Sequence, residues 1–196
     1  MKTEIEVKFL DICIDVVRAR LTELGAQLEQ PMRLMRRVAI HGEFTKVNDG
    51  NSFLRVRDEG DKVTMTYKQF DSLSLHGAKE IETTVGSFED TVALLEKVGL
   101  AAHTYQETRR ETWLLHGVEI MIDEWPWLAP YIEIEGQSEE AVRNVASQLG
   151  FDWSDAKFGD VMVAYRHQYP HLLENETVGN IDEVKFDLPL PGLLKA

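Results

Sequence analysis

The chain has 196 residues, of which 43% are hydrophobic and 28% are charged, and these proportions are ordinary for a globular domain. Its formal net charge of −13 argues against a nucleic-acid partner, because binding to a phosphate backbone needs a positive surface. The single cysteine, Cys13, excludes an internal disulfide and a Cys-rich metal site. No apolar run approaches the length of a membrane span, and the charged N-terminus does not read as a signal peptide, so we expect a cytoplasmic protein without a membrane partner.

The predicted elements begin with a strand over residues 2–10. Amphipathic patterns predict helices over 11–24, 88–98 and 139–149, and each of these helices stops at a glycine. Further strands are predicted over 33–42, 52–58, 62–70, 78–86, 105–116, 118–124 and 131–136. The turns between them are expected at Asn48-Asp49-Gly50, Glu59-Gly60-Asp61 and His116-Gly117.

Most of these strands alternate aliphatic residues with charged or polar ones. An antiparallel sheet that is wet on one face has this pattern. Eight strands with only three helices can also curl into a barrel, with the helices covering an apolar outer face and the charged face pointing inward. Such an interior is too polar for a lipid and suits an anion that is bound together with metal ions.

The first strand reads Glu4-Ile5-Glu6-Val7-Lys8. Its two carboxylates and its amine project from one face, because successive side chains of a strand point to opposite faces. Two close carboxylates repel each other unless a cation or a proton lies between them. Carboxylate oxygens are hard ligands suited to Mg²⁺ or Mn²⁺. In isolation the pattern would be the solvated face of an edge strand.

Later strands add the complementary charges. The cations expected on the inward face are typical of polyphosphate recognition, and they are Arg55, Arg57, Lys68 and Arg109. The carboxylates expected there fit divalent cations that bridge phosphoryl oxygens, and they are Glu4, Glu6, Asp123, Glu133 and Glu135. Together the two sets predict a metal-dependent site for a triphosphate.

The motifs, in this order, resemble the CYTH superfamily, also called triphosphate tunnel metalloenzymes. That family includes class IV adenylate cyclases, thiamine triphosphatases and inorganic triphosphatases. The matching motifs are Glu4-x-Glu6-x-Lys8, Leu54-Arg55-x-Arg57, Thr66-x-Lys68, the acidic strand 79–82, the basic strand Thr108-Arg109-Arg110, and Asp123 with Glu133-x-Glu135. The resemblance covers roughly residues 2 to 170.

The resemblance implies an α+β fold, an eight-stranded antiparallel β-barrel that forms a tunnel with helices packed outside. Residues 1–170 would form the tunnel domain and residues 171–196 a C-terminal extension. It further implies that Arg55, Arg57, Lys68 and Arg109 bind the triphosphate, with Arg36 and Lys79 as further candidates. Glu4, Glu6, Glu133 and Glu135 would coordinate Mg²⁺ or Mn²⁺ near Asp123, and Lys8 would orient or activate the nucleophile.

The sequence departs from the family pattern at two points. Many members have a lysine two residues before the arginine that matches Arg109, where this chain has Glu107. We therefore expect this cationic contact either to be missing or to be replaced by Arg110, Arg36 or Arg37. Arg36 and Arg37 are adjacent, so only one of them can face inward, and we favour Arg36. Lys157-Phe158 stands where a Ser-Tyr pair is common.

The function predicted from these observations is hydrolysis of an inorganic or organic triphosphate. The first alternative is a class IV adenylate cyclase that makes cyclic AMP and pyrophosphate from ATP. The second is a non-catalytic sensor that binds a triphosphate or polyphosphate. No motif chooses among tripolyphosphate, ATP and thiamine triphosphate, and a homodimer stays open.

Overall fold

The fold is given by a computed structural model, which describes residues 1–40, 43 and 52–195. The predicted turn at Asn48-Asp49-Gly50 and the last two residues of the strand predicted over 33–42 lie outside that range. The described strands are β1 (Lys2–Thr3), β2 (Ile5–Phe9), β3 (Gln27–Ile40), β4 (Ser52–Asp58), β5 (Val63–Phe70), β6 (Ala78–Val85), β7 (Ala102–Leu115), β8 (Val118–Glu124), β9 (Tyr131–Gly136) and β10 (Glu183–Val184). The described helices longer than one turn are α1 (Ile14–Glu23), α2 (Phe88–Lys97), α3 (Glu139–Gln148) and α4 (Met162–Gln168).

The strands form an antiparallel barrel in the order β1-β6-β5-β4-β3-β7-β8-β9-β2. The N-terminal strand closes it, because β1 pairs with β6 on one side and β2 pairs with β9 on the other. Glu4 separates β1 from β2, and its N–H donates to the carbonyl oxygen of Ala78 at 3.0 Å. When β1 and β2 are taken as one interrupted strand, the described barrel has the eight strands that the sequence predicts, and the fold prediction is confirmed.

The apolar core lies outside the barrel, under the helices. Val142 and Val145 of α3 are buried against aliphatic residues of β8 and β9, including Ile120 and Ile134. A second cluster joins α2 to β3 and β4; it contains Val38, Ile40, Val56, Phe88 and Leu95. Burial of these outward-facing side chains leaves the alternate, polar residues of the same strands facing the interior.

The three predicted helices are present with shorter bounds. The hydroxyls of Ser87 and Ser138 accept hydrogen bonds from backbone N–H groups three residues ahead, which is the N-cap geometry. Helix α1 begins three residues later than predicted, at Ile14, since Asp11 has a φ of 54° that is incompatible with a helix. Helix α4 was not predicted, because seven residues are too few to show a clear helical period.

We refer to residues 170–195 as the C-terminal segment. It packs on the barrel, and β10 within it pairs in parallel with β7. Val178, Val184 and Leu194 are buried there beside Trp125 and Tyr165. Across the described residues, every helix is too short or too polar to span a membrane.

Candidate functional site

The inward-facing residues enclose a cavity of about 640 Å³. One side of it, which we call the cationic wall, consists of Arg37 from β3 and Arg55 and Arg57 from β4. The other side, which we call the acidic wall, consists of Glu4 between β1 and β2, Glu6 from β2, and Glu133 and Glu135 from β9. The ammonium groups of Lys8 and Lys68 lie among the carboxylates of the acidic wall.

The register of β2 and β9 builds the acidic wall. Glu6 lies directly opposite Glu135, and Lys8 lies directly opposite Glu133. The Lys8 Nζ is 3.3 Å from Glu6 Oε1 and 3.1 Å from Glu133 Oε1. From β5, which is separated from the N-terminal strand by β6, Lys68 Nζ reaches Glu4 Oε2 at 2.5 Å and Glu6 Oε2 at 3.6 Å. Each ammonium group therefore lies between two carboxylates.

Negative charge still exceeds positive charge around the acidic wall. Burial, followed by the charge of Glu4, raises the pKa of Glu80 to about 7. Burial, together with the charges of Glu4 and Glu6, also raises the pKa of Glu135 despite its ion pair with Lys2. These carboxylates are oxygen donors whose mutual repulsion a divalent cation would relieve, so the donor chemistry fits Mg²⁺ or Mn²⁺.

The described side chains do not yet surround a single metal position. Over residues 1–40, 43 and 52–195, no group of three or more Asp, Glu, His or Cys side chains is arranged to hold an ion. The ammonium groups of Lys8 and Lys68 separate the carboxylates instead. Metal binding at the acidic wall would therefore require these lysines to move aside.

Lys8 is a buried cation. Only 2% of the residue is exposed, and burial acts to lower the pKa of its ammonium group. The charges of Glu133 and Glu6 outweigh burial, and the net effect is a raised pKa. In this arrangement the ammonium group of Lys8 donates to Glu6 and forms an ion pair with Glu133.

The cationic wall has the opposite imbalance. Burial, followed by the charges of Arg57 and Arg37, lowers the pKa of Arg55 to about 9. Burial, followed by the charge of Arg57, lowers the pKa of Arg37 to about 10. Such shifts mean that the charged forms of these buried guanidinium groups lack sufficient negative charge nearby.

The contacts of Arg37 and Arg55 agree with that imbalance. The Arg37 Nε donates to the neutral side chain of Gln106 at 2.9 Å, and its guanidinium lies 4.0 Å from the centre of a Trp125 ring. Arg55 reaches Glu82 only at 3.8 Å. Within the described part of the chain, the Arg55 Nε is buried without a hydrogen-bond partner. An anion in the cavity would supply the missing acceptor.

Arg110 differs from these arginines because carboxylates surround it. It donates to both oxygens of Asp123, at 2.7 and 2.6 Å, and to Glu133 at 2.7 Å. The charges of Asp123 and Glu133 overcome burial and raise its pKa. Asp123 lines the cavity, and each of its oxygens accepts a hydrogen bond from Arg110.

Most of the predicted site residues are brought together in the cavity. They are Glu4, Glu6, Lys8, Arg55, Arg57, Lys68, Asp123, Glu133 and Glu135. Their inward orientation agrees with the sequence pattern, and their binding roles stay predictions.

Arg36 and Arg109 were expected to face the interior, and this expectation was wrong. Lys79, a further binding candidate, also lies outside the cavity. Arg36 pairs outside the barrel with Asp58 and with Glu89 of α2. Arg109 lies over the ring of Phe186 and pairs with Glu124, while Lys79 pairs with Asp71. Each occupies the outward face of its strand, so none of them lines the cavity.

Arg37 and Arg110 take the inward places, and the sequence contains a signal for this choice. Arg36 shares its strand face with Val38 and Ile40, which are buried in the outer core. Arg109 likewise shares its face with Trp113 and Leu115, which pack under α1 and α3.

The orientation of β7 also changes the interpretation of Glu107, which was compared above with a family lysine. Glu107 faces outward, where its carboxylate accepts a hydrogen bond from the Phe186 N–H. The inward residue two places before Arg110 is Thr108, which lines the cavity. A threonine therefore stands where many family members were expected to have a lysine.

Residues beyond the motifs close one end of the cavity. Lys157 pairs through its backbone with Lys8, with two N–H to oxygen distances of 2.9 Å. This bridge positions Asp160 on the cavity, where burial raises the pKa of its carboxyl. Residues 177–180 of the C-terminal segment line the same end. No motif pointed to these residues.

Comparison with known proteins agrees with this architecture. A protein from Pyrococcus horikoshii OT3 superposes with a TM-score of 0.69 at 21% identity, over 82% of this chain and 98% of that one. A proposed adenylate cyclase from Vibrio parahaemolyticus gives a TM-score of 0.70 at 11% identity, over 83% and 97%. A proposed adenylyl cyclase from Hippeastrum with a dominant triphosphatase activity gives 0.59 at 16%, over 87% and 98%.

At these identities the structural likeness shows the fold alone. A search of curated protein sequences found no match. The family model described as the CYTH domain matches residues 2–152. Because that match spans most of the chain, the protein belongs to the CYTH family.

Proposed function

We propose that the protein is a metal-dependent triphosphatase whose substrate binds in the barrel. The observation that carries the proposal is the opposition of the two walls across one cavity. Arg37 and Arg55 lack sufficient negative charge, while Glu80 and Glu135 on the opposite side lack sufficient positive charge. A polyphosphate with a divalent cation would complement both walls at once.

The cationic wall binds the phosphate chain in this proposal. Arg55 and Arg57 are alternate residues of β4, so their guanidinium groups follow one another along the strand. Arg37 faces the same cavity from β3, the strand adjacent to β4. A guanidinium group can donate two parallel hydrogen bonds to two oxygens of one phosphate, and this fixes both the position and the orientation of the chain. Lys68 supplies a further positive charge beside the acidic wall.

Glu4, Glu6 and Glu135 are the proposed metal ligands, with Glu133 beside them. A bound Mg²⁺ or Mn²⁺ would neutralise charge on the phosphoryl oxygens as the terminal group is transferred. Glu133 carries a second duty, because it accepts hydrogen bonds from both Lys8 and Arg110. Those two cations keep the pKa of Glu133 far below its usual range even though burial opposes this.

Lys8 positions the attacking water in this scheme. As an ammonium donor it can hold a water oxygen beside the terminal phosphoryl group, but it cannot remove a proton from that water. The water oxygen bonds to the terminal phosphorus, the bond from phosphorus to the bridging oxygen breaks, and the diphosphate portion leaves with the bonding electrons. The proton that the water loses passes to a phosphate oxygen of the products. Catalysis in this scheme rests on positioning and charge neutralisation.

Adenylate cyclase activity is the second candidate. Phe53, Phe70, Met162 and Val178 contribute apolar surface to the cavity, which offers contacts for an organic group attached to the triphosphate. In the cyclase reaction the ribose 3′-hydroxyl would attack the α-phosphorus and pyrophosphate would leave. The same groups would neutralise charge in both reactions.

The test is turnover with Mg²⁺ or Mn²⁺ of three substrates, namely tripolyphosphate, ATP and thiamine triphosphate. Products are separated into orthophosphate, pyrophosphate and cyclic nucleotide. Release of orthophosphate supports the proposal, whereas cyclic AMP with pyrophosphate supports the cyclase. If the substrates bind but are not converted with either metal, the enzyme proposal is wrong and a non-catalytic polyphosphate sensor is supported.

A matched pair of variants tests the acidic wall. Glu6→Gln is expected to abolish turnover in a folded protein, because it removes a proposed ligand charge while preserving side-chain size. Glu89→Gln is the control, since Glu89 is exposed on α2 outside the barrel. Full activity in Glu6→Gln would show that the ligand assignment is wrong.

A further inference from the structure

The inward face of β4 continues past the cationic wall to an acidic residue. Along this face Phe53, Arg55 and Arg57 follow one another, and Glu59 comes directly after the strand ends at Asp58. Alternate residues of a strand lie about 7 Å apart, so the four side chains form a row along the cavity. A phosphate chain held by Arg55 and Arg57 would have an apolar side chain at one end and a carboxylate at the other.

Glu59 is a buried carboxylate held by cations. The residue is 5% exposed. Its Oε1 accepts from Arg57 at 2.6 Å, and its Oε2 lies 3.4 Å from Arg33 and 4.0 Å from Lys62. Burial acts to raise the pKa of this carboxyl, but Arg57 and Lys62 outweigh burial and the net effect is a lowered pKa. Glu59 is therefore ionised, and it occupies the position of an anion among three cations.

The cations around Glu59 are not saturated by it. Within the residues that the structure describes, the Nη1 of Arg33 is buried and has no hydrogen-bond partner. Arg33, Glu59 and Lys62 all line the cavity. An unsatisfied guanidinium nitrogen beside an ionised carboxylate indicates that this end of the cavity is built around negative charge.

We propose that Glu59 limits the length of the phosphate chain that the cavity accepts. Its carboxylate occupies the anion position next to the last phosphate and already accepts from the Nε and Nη2 of Arg57, which a further phosphate would need. This inference rests on the proposed function, because it assumes that a phosphate chain lies along β4. The substrate class is accordingly a short phosphate chain that ends beside Glu59, because further phosphates cannot extend past this carboxylate.

The limit on chain length has a physical cause. A further phosphate would face the like charge of Glu59 or would have to displace it from Arg57. Displacement leaves a buried carboxylate without its partner, and such a change is costly. The additional negative charge of a longer chain, which would otherwise favour binding to arginines, therefore brings no gain in affinity.

The experiment measures calorimetric binding of sodium tripolyphosphate and sodium tetrapolyphosphate to the full chain without metal. The wild-type protein is expected to bind tetrapolyphosphate no more tightly than tripolyphosphate. In Glu59→Gln, affinity for tetrapolyphosphate is expected to rise by about tenfold and affinity for tripolyphosphate by less, because one like charge is removed beside the chain end. Asp61→Asn is the matched control, since Asp61 lines the same end but contacts Gln30 rather than an arginine, and its ratio of affinities should not change.

Other outcomes overturn the inference. Equal loss of affinity for both anions in Glu59→Gln would mean that Glu59 only holds Arg57 in place. An equal change of the ratio in Asp61→Asn would mean a general charge effect. Should Glu59→Gln not fold, the wild-type comparison still decides, since tighter binding of tetrapolyphosphate contradicts the proposal. If binding is as expected but no substrate is hydrolysed, the proposed triphosphatase activity is wrong, while the role of Glu59 in limiting chain length is supported.

Discussion

The two walls of the cavity differ in how far their buried charges are compensated by neighbouring groups. On the acidic wall, Lys8 and Lys68 each contact two carboxylates. On the cationic wall, Arg37 donates to a neutral amide, and Arg55 has a buried nitrogen without a partner in the described residues. The first wall already contains part of its counter-charge, whereas the second is incomplete without an anion.

The difference separates a stabilising use of charge from a functional one. A buried cation between two carboxylates supports the fold, because its removal would leave those carboxylates without compensation. A buried cation beside other cations opposes the fold, and its retention indicates that it serves a ligand. The two walls should therefore respond with opposite signs when a cation is removed from each.

The largest effect on stability is expected at Lys8. Lys8→Met leaves Glu6 and Glu133 buried without their shared ammonium partner, so the free energy of unfolding should fall by about 3–5 kcal/mol. Chemical denaturation near neutral pH measures this change. An unchanged midpoint would show that the carboxylates do not depend on Lys8.

The opposite sign is expected at Arg55. Arg55→Met removes a buried charge whose pKa is lowered to about 9, and the free energy of unfolding without ligand should rise by about 1–4 kcal/mol. Triphosphate turnover should fall by about 100-fold or more in the same variant, because a group that neutralises the reacting phosphates is lost. Denaturation and initial-rate measurements on one preparation test both statements, and a less stable variant would contradict the comparison.

Glu80 offers a pH test of the acidic wall. Burial and the charge of Glu4 raise its pKa from an ordinary 4.5 to about 7. Because the pKa is higher in the folded state, the folded protein binds this proton more tightly than the unfolded chain does. The resulting stability is fully present below pH about 4.5 and is lost as the pH rises through about 7. Glu80→Gln should therefore match the wild type in acid and exceed its stability above neutrality. Thermal denaturation across this range measures the difference, and parallel curves for the two proteins would refute it.

The smallest effect is expected at the arginines outside the barrel. Arg36→Ala and Arg109→Ala each remove a cation that pairs on the outer surface, so kcat/KM should stay within about twofold of the wild type. Steady-state kinetics with tripolyphosphate provide the measurement. A loss comparable to that of Arg55→Met would place these arginines in the site and remove the distinction between the two faces.

The sequence was sufficient for the barrel and for much of the site because most strands have one apolar face. In β4, Leu54 and Val56 alternate with Arg55 and Arg57, so the orientation of both arginines follows from the burial of the aliphatic residues. The Glu4 to Lys8 segment is equally clear, since Ile5 and Val7 fill the opposite face.

The orientation of the adjacent arginines in β3 and β7 was harder to predict, because both faces of these strands carry polar residues there. In β7, Gln106, Thr108 and Arg110 face inward, while Glu107 and Arg109 face outward. The strand also pairs with β3 through register shifts, which interrupt a simple alternation. The correct choice depended on residues at the far ends of the strands, such as Trp113.

No local sequence pattern predicted that residues near the C-terminus line the cavity. Helix α4 and residues 177–180 reach the cavity only because the segment folds back over β7, where Val178 and Val184 are buried. Long-range packing of this kind is not encoded in a short period or motif. Glu59 was likewise assigned to a turn, and its role as a buried counter-anion depends on its contact with Arg57.

The most direct test of the central claim is the stability that tripolyphosphate confers without metal. If the cationic wall is an anion site, the free energy of unfolding of the wild type should rise with tripolyphosphate, by about 2.7 kcal/mol at 100 times the dissociation constant. Arg55→Met should start more stable and gain little. An absent response in the wild type, or an equal response in Arg55→Met, would contradict the assignment of this wall to the triphosphate.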